Sequence, residues 1–153
     1  MEGSIVGLFA ASSGGVPKPE VSNLQVHESG CIGDKQNDLK HHGGPNRAVC
    51  LFSSEVLTTL SQEGHPIFPG SVGENVLVQG IDWGSVQIGT QFHFEDVILE
   101  ITSDAPPCRT IKASFSNEEF TRISVKKHPS STRWYAKVIQ AGELFTNGKF
   151  SIN

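Results

Sequence analysis

A mainly β domain is predicted by three observations. The 153-residue chain carries 16 glycines and 8 prolines, enough to punctuate it into many turns and short elements. Charged residues make up only 18% and hydrophobic residues 37%, so long amphipathic helices with charged faces are not expected. The apolar residues also fall in short runs of strand length, set apart by breakers. The length suits one domain, residues 1–153, with a core of its own.

Composition also bounds function. Twelve Lys and Arg against 16 Asp and Glu give a net charge of -4, which argues against a general nucleic-acid surface but leaves room for a local basic pocket. Met1-Glu2-Gly3-Ser4 lacks the cationic flank and apolar run of a secretory signal, and no stretch is long and apolar enough for a membrane helix. A cytoplasmic protein is expected. Cys31, Cys50 and Cys108 are odd in number and widely spaced, with no Cys-x-x-Cys pair, so free thiols are expected.

Taken in order, Ile5-Val6-Gly7-Leu8-Phe9 reads as a first strand, and residues 10–15 as a small-residue loop. Lys18 stands between Pro17 and Pro19, which bias it to an extended conformation; the segment is either a stiff connector or a directed ammonium group. Val21, Leu24 and Val26 suggest a second strand. Ala48-Val49-Cys50-Leu51-Phe52 is a continuous apolar run, the mark of a strand buried on both faces, with Cys50 as core filling. Ser53 or Ser54 caps a helix carrying Val56, Leu57 and Leu60, closed by Gly64. Val76-Leu77-Val78 is a strand led in by Glu74-Asn75, a pair that taken alone reads as a loop cap. The runs around Phe92-His93-Phe94 and Val97-Ile98-Leu99-Glu100-Ile101 predict a hairpin turning at Glu95-Asp96. The last third predicts two helices. One starts at the Ser116-x-x-Glu119 capping box; the other starts at Ser131 or Thr132, carries Trp134 and Val138 and ends at Gly142. Phe145 to Ile152, with Asn147-Gly148, reads as a closing turn and strand.

Two stretches point to chemistry. Residues 30–47 gather four glycines, Asp34 and Asp38, Lys35 and Lys40, Arg47 and the vicinal His41-His42, with hardly any apolar residue to bury. Glycines let backbone amides approach a ligand, and Gly43-Gly44-Pro45 is a strong turn signal. Further on, Pro106-Pro107-Cys108-Arg109 presents a thiol on a stiff arm beside a cation, and a neighbouring cation favours the thiolate, the form that attacks electrophiles and ligates soft metals. No Walker loop, dinucleotide fingerprint, His-Glu-x-x-His or Gly-x-Ser-x-Gly elbow is present. The adjacent histidines are a weak metal signal, since neighbouring side chains diverge in an extended chain. A thiol, a glycine-rich loop and cations at Lys18, Lys35, Arg47, Arg109 and Arg133 together suit an anionic cofactor held near a thiolate.

These motifs, in their order, carry a resemblance. Gly30-x-x-Gly33-Asp34-x-Gln36-x-Asp38 runs on to His41-His42-Gly43-Gly44; Gly73-Glu74-Asn75, Ile88-Gly89, Pro107-Cys108 and Arg133-Trp134-Tyr135 follow. The set resembles a stand-alone MOSC domain, the molybdenum cofactor sulfurase C-terminal module, and among such proteins those conferring resistance to 6-N-hydroxylaminopurine, over residues 5 to about 144. Two positions depart from the pattern: Val72 stands where a phenylalanine is common, and Thr90 where an aspartate is usual.

The resemblance implies a β-barrel with a few peripheral helices and a molybdopterin-type molybdenum cofactor. Cys108 would be the metal ligand or a carrier of sulfane sulfur. Asp34, His41 and His42 become candidate proton donors. Lys18, Gly33, Lys35, Gly43, Gly44, Arg47, Glu74, Asn75, Arg109 and Arg133 become candidate cofactor-binding residues. The implied activity is reduction of N-hydroxylated bases or related compounds; the alternative is a carrier that hands on cofactor or sulfur without turnover. With no flavin, haem or iron–sulfur motif in the chain, electrons would come from a separate donor protein.

Overall fold

The computed structural model describes residues 1–35 and 44–153. Its strands are β1 (Glu2–Phe9), β2 (Glu20–Val21), β3 (Asn23–His27), β4 (Gly30–Cys31) and β5 (Val49–Ser53). After helix α1 (Ser54–Gln62) come β6 (Val76–Gln79), β7 (Gln91–His93), β8 (Ile98–Ala105), β9 (Arg133–Gln140), β10 (Gly142–Phe145) and β11 (Lys149–Ile152). Strands β11-β7-β8-β9-β5-β6-β1 form one sheet that closes through pairing of β1 with β11, so a barrel results. Only β5 and β6 run parallel, joined by α1; the other pairings are antiparallel. Strand β2 extends β1, and β10, β3 and β4 make a separate small sheet.

Alternation along the strands sorts side chains onto two faces. Val49, Leu51, Val76, Val78, Trp134, Ala136 and Val138 share the larger core, to which all seven barrel strands contribute. Their neighbours Phe52 and Leu77 point the other way, into a second core with Leu57, Leu60, Ile111, Phe115 and Ile123 beneath α1 and short 3-10 turns. In β1 both Ile5 and Leu8 reach the larger core although three residues apart; a register shift between Ile5 and Gly7 makes this possible by changing the phase of the alternation.

The first strand, the buried β5, the capped helix and the β7–β8 hairpin form as the sequence predicts. Ser53 Oγ accepts a hydrogen bond from Val56 N, Gly64 ends α1 with φ 99°, and Phe94 N donates to Val97 O across the hairpin turn. At the end of the chain, Gly148 N donates to Phe145 O and Asn147 takes φ 71°.

The two predicted C-terminal helices are corrected. Residues 133–140 are strand β9, paired with β5 on one side and β8 on the other. Trp134 and Val138 are four apart, which satisfies a strand as well as a helix, and Ala136 between them is buried on the same face. The capping box at Ser116 forms no helix, because Asn117 and Glu118 adopt φ 55° and 59°. Ser116 Oγ instead donates to Gly64 O, and the segment is a series of 3-10 turns. Among the described residues no helix is long and apolar enough to cross a membrane.

The loop between α1 and β6 runs against the Lys18 backbone at Gly70. Gly70 has φ 87°, its carbonyl accepts from Lys18 N at 2.9 Å, and an added Cβ would lie 2.3 Å from Lys18 O. Gly70→Ala is expected to cost about 1–3 kcal/mol from forced left-handed backbone and collision. Urea unfolding checks this; an unchanged midpoint at unchanged m would refute it.

Candidate functional site

The outward-facing residues at the ends of β5, β8 and β9 form a polar patch next to the second core. Its anchor is Asp34, in the loop after β4. Asp34 Oδ1 accepts from Ala11 N at 2.8 Å, and Oδ2 accepts from Lys18 Nζ at 2.7 Å and from Asn75 Nδ2 at 2.9 Å. The Lys18 and Asp34 side chains are only 5% and 4% exposed. Burying both charges carries a desolvation cost, which the further donors on the carboxylate help to offset. Asn75 extends the network: Oδ1 accepts from Cys50 N at 3.0 Å, and Nδ2 also donates to Phe9 O at 3.1 Å. Three chain segments and two barrel strands therefore meet on one carboxylate and one amide.

The second group lies between the loop before β6 and the start of β9. Arg133, 4% exposed, donates from Nη1 to Val72 O at 2.6 Å and from Nη2 to Ala105 O and Pro106 O at 3.2 Å each. Glu74 is fully buried, and its Oε2 accepts from Gly70 N at 2.9 Å. Burial pushes the Glu74 carboxyl up to about 7, against the pull of the Gly70 amide and of nearby Arg133. Glu74 Oε1 and Arg133 Nε are buried without a hydrogen-bond partner.

Cys50 and Tyr135 pack with Ala105 between these groups. Burial raises the Cys50 thiol pKa, and Arg133, Lys18, Glu74 and Asp34 all act on it electrostatically, so the patch is one connected unit. Burial likewise pushes the Cys31 thiol up to about 12, with Asp34 adding to the effect. The Tyr135 hydroxyl pKa is raised by burial and then by Cys50, while Arg133 and Arg47 pull the other way; Cys108 lies within the same range.

Cys108 stands at the rim, half-buried, at the head of the 3-10 turn Arg109–Ser114. Its Sγ is 2.8 Å from Thr110 Oγ1, and Arg109 beside it is exposed. Arg47 belongs to the 3-10 turn Pro45–Arg47, which a hydrogen bond from Thr102 Oγ1 to Asn46 O ties to β8.

The structure thus joins Lys18, Asp34, Asn75, Glu74 and Arg133 and sets Cys108 and Arg47 at the edge of the same patch. Glu74 and Asn75 work as internal loop-fixing groups, the role their sequence position suggests taken alone. Lys18 and Arg133 are buried and engaged with internal partners, so neither is a surface charge. Gly33 and Gly44 have φ 85° and 82°, and among the described residues nothing lies within 4 Å of where a Cβ would sit. Lys35 is exposed, its backbone N bonded to Ala11 O. His41, His42 and Gly43 lie outside the described residues. Cys50, Tyr135 and Thr110 were not singled out as site residues from sequence; Tyr135 lies within the Arg-Trp-Tyr motif and Thr110 two residues after the cysteine, which are the signals that point to them.

The model of the MOSC domain matches residues 38–149. The chain belongs to the MOSC domain family. It is 26% identical over 133 residues to YflK, an uncharacterized protein of Bacillus subtilis (strain 168), covering 86% of this chain and 59% of that protein. It is 24% identical over 125 residues to protein YiiM of Escherichia coli (strain K12), covering 79% of this chain and 55% of YiiM. The chain therefore spans little more than half the length of these relatives. Among solved structures, the YuaD protein from Bacillus subtilis superposes with a TM-score of 0.79 at 19% identity over 99% of this chain and 96% of that one. YiiM from Escherichia coli gives 0.71 at 19% identity, over 98% and 69%. The mainly β barrel is thus a MOSC fold.

Among the described residues of this MOSC domain no three His, Cys, Asp or Glu side chains converge as a metal site. A metal held at Cys108 would bring further ligands of its own, and a pterin dithiolene does that. A half-buried thiol flanked by an exposed arginine fits such a group.

Glu74 sets a pH dependence. Its folded pKa of about 7 lies above the ordinary glutamate value of 4.5, so the folded state binds the extra proton between those values. The contribution is fully present below pH 4.5 and is lost as pH rises toward 7. The stability difference between wild type and Glu74→Gln, followed by urea unfolding at several pH values, is expected to fall across that window and level off above it. A difference flat with pH would contradict it.

Proposed function

We propose that this MOSC protein binds a pterin-type molybdenum cofactor at the Cys108 rim and reduces N-hydroxylated bases or related N-oxygenated compounds. The observation that carries this reading is the placement of Cys108. Cys31 and Cys50 are buried, whereas Cys108 is half-buried on a proline-stiffened arm beside a cation, at the edge of the patch. Membership of the MOSC domain family supports a molybdenum-cofactor-related role.

When bound, the cofactor supplies two-electron exchange. The Cys108 thiolate is the protein's soft ligand. Arg109 and Lys35, both exposed, and Arg47 would balance the charge of the pterin phosphate, and the backbone amides at Gly33 and Gly44, glycines with positive φ, would approach it without a side chain in the way. Asp34 is held by Ala11 N, Lys18 and Asn75, so its part is to fix the loop. His41 and His42, next in motif order, are the proposed proton donors, since imidazole titrates near neutral pH. The reaction breaks the N–O bond: the N-hydroxylamine takes up two electrons and two protons and gives amine and water. A separate donor protein provides the electrons.

Cys108→Ser tests this, with protein prepared in hosts able and unable to make the cofactor. The wild type from the competent host is expected to carry molybdenum with pterin and to reduce 6-N-hydroxylaminopurine with a suitable reductase. The variant should fold normally, since Thr110 is the hydrogen-bond partner of its Sγ, and lose both metal and turnover. Near-normal reduction by the variant sinks the proposal. Cofactor transfer to an apo-enzyme without any reduction would instead identify a carrier using the same thiol.

A further inference from the structure

The stretch leading to Cys108 poses a mechanical problem. Strand β8 ends at Ala105, and residues 106 and 107 are both proline. Proline has no backbone N–H, so neither residue can donate a hydrogen bond and the segment can be tied down there only through its carbonyls. Arg133 takes two of them, Ala105 O and Pro106 O, with a single nitrogen, Nη2. Its other terminal nitrogen, Nη1, holds Val72 O, in the loop that also carries Glu74 and Asn75. The guanidinium is buried, so these bonds are shielded from competing water.

We propose that Arg133 is the positioning residue for Cys108, clamping the Pro106 carbonyl so that the stiff Pro107 link delivers the thiol to a fixed place at the rim of the patch. The inference deepens the reading of Cys108 as the cofactor ligand and rests on it for its purpose. Between the clamped carbonyl of residue 106 and the sulfur, Pro107 fixes one torsion and three others remain, so a shift at the clamp is passed on to the sulfur with few ways to absorb it. Thr110 Oγ1, 2.8 Å from Sγ, steadies the thiol from its other side. The role needs the planar fork of arginine; a lysine ammonium is a point donor that cannot hold both segments in the same geometry.

The test needs no cofactor. A bromomethyl trifluoromethyl ketone alkylates accessible thiolates with loss of bromide, so the 19F label is expected on Cys108, with Cys108→Ser as the labelling control and Cys31 and Cys50 protected by burial. Wild type should give a single narrow 19F line. Arg133→Lys and Arg133→Gln should broaden or split it and change the alkylation rate by about threefold or more, since small displacements change reactivity steeply. Leu24→Ala, a core substitution in β3, serves as the comparison: it lowers stability but should leave line and rate as in wild type. Should Arg133→Gln fail to fold, Arg133→Lys, which keeps the charge, still decides. A wild-type line and rate in folded Arg133→Lys overturns the proposal. That outcome is separate from the fate of the molybdenum reading, which stands or falls on metal content and turnover.

Discussion

The Asp34 carboxylate is the constraint around which the polar half of the molecule is arranged. One residue in the loop after β4 binds the backbone of residue 11, the ammonium of Lys18 and the amide of Asn75, and Asn75 in turn binds strands β1 and β5. None of these segments is long enough to hold itself in place, and residues 10–19 and 32–35 have little apolar surface to bury. The ion pair fixes their position together with backbone bonds such as Lys18 N to Gly70 O and Lys35 N to Ala11 O. Removing one partner of such a buried pair typically costs about 3–5 kcal/mol, because the other charge is left in a poor solvent. The arrangement also fixes the loop up to Lys35 through polar contacts rather than hydrophobic packing.

The division of labour between the two faces of the barrel follows from strand alternation. Inside, aliphatic and aromatic side chains close the barrel, with Trp83 T-shaped to Phe92, Phe92 stacked with Phe94 and Phe150 tilted against both phenylalanines. Outside, α1 and the 3-10 turns cover a second apolar layer, and the polar patch occupies the part of that face that they leave. Closure of the sheet through β1 and β11 matters here too. It satisfies backbone groups that an open edge would expose, and the outer wall is free to carry function.

Much of the fold was legible in the sequence: the apolar run at β5, the Ser53 cap and the β7–β8 hairpin are local patterns that the structure keeps. Strand β9 was not legible because Trp134 and Val138 fit both periods and Ser131-Thr132 mimics a cap; pairing with β5 and β8 decided the matter. The Ser116 capping box failed for a local reason that its letters do not carry, two consecutive left-handed residues. In the site, the meeting of Lys18 with Asp34, or of Arg133 with Pro106, joins residues 16 and 27 positions apart, and no spacing rule encodes those contacts. Buried charges were the hardest to foresee, since sequence alone favours reading lysine and arginine as solvated.

Strand β9 carries core and site on one alternating string: Trp134, Ala136 and Val138 face inward, Arg133 and Tyr135 outward. A slip of one residue would put a guanidinium inside the barrel and an indole in the polar patch, so both solvation and chemistry reject it. The strand is therefore open to descent by substitution but closed to descent by insertion. One outward side chain can be exchanged for another without disturbing the core, while gains and losses of length are tolerated only in the connecting loops.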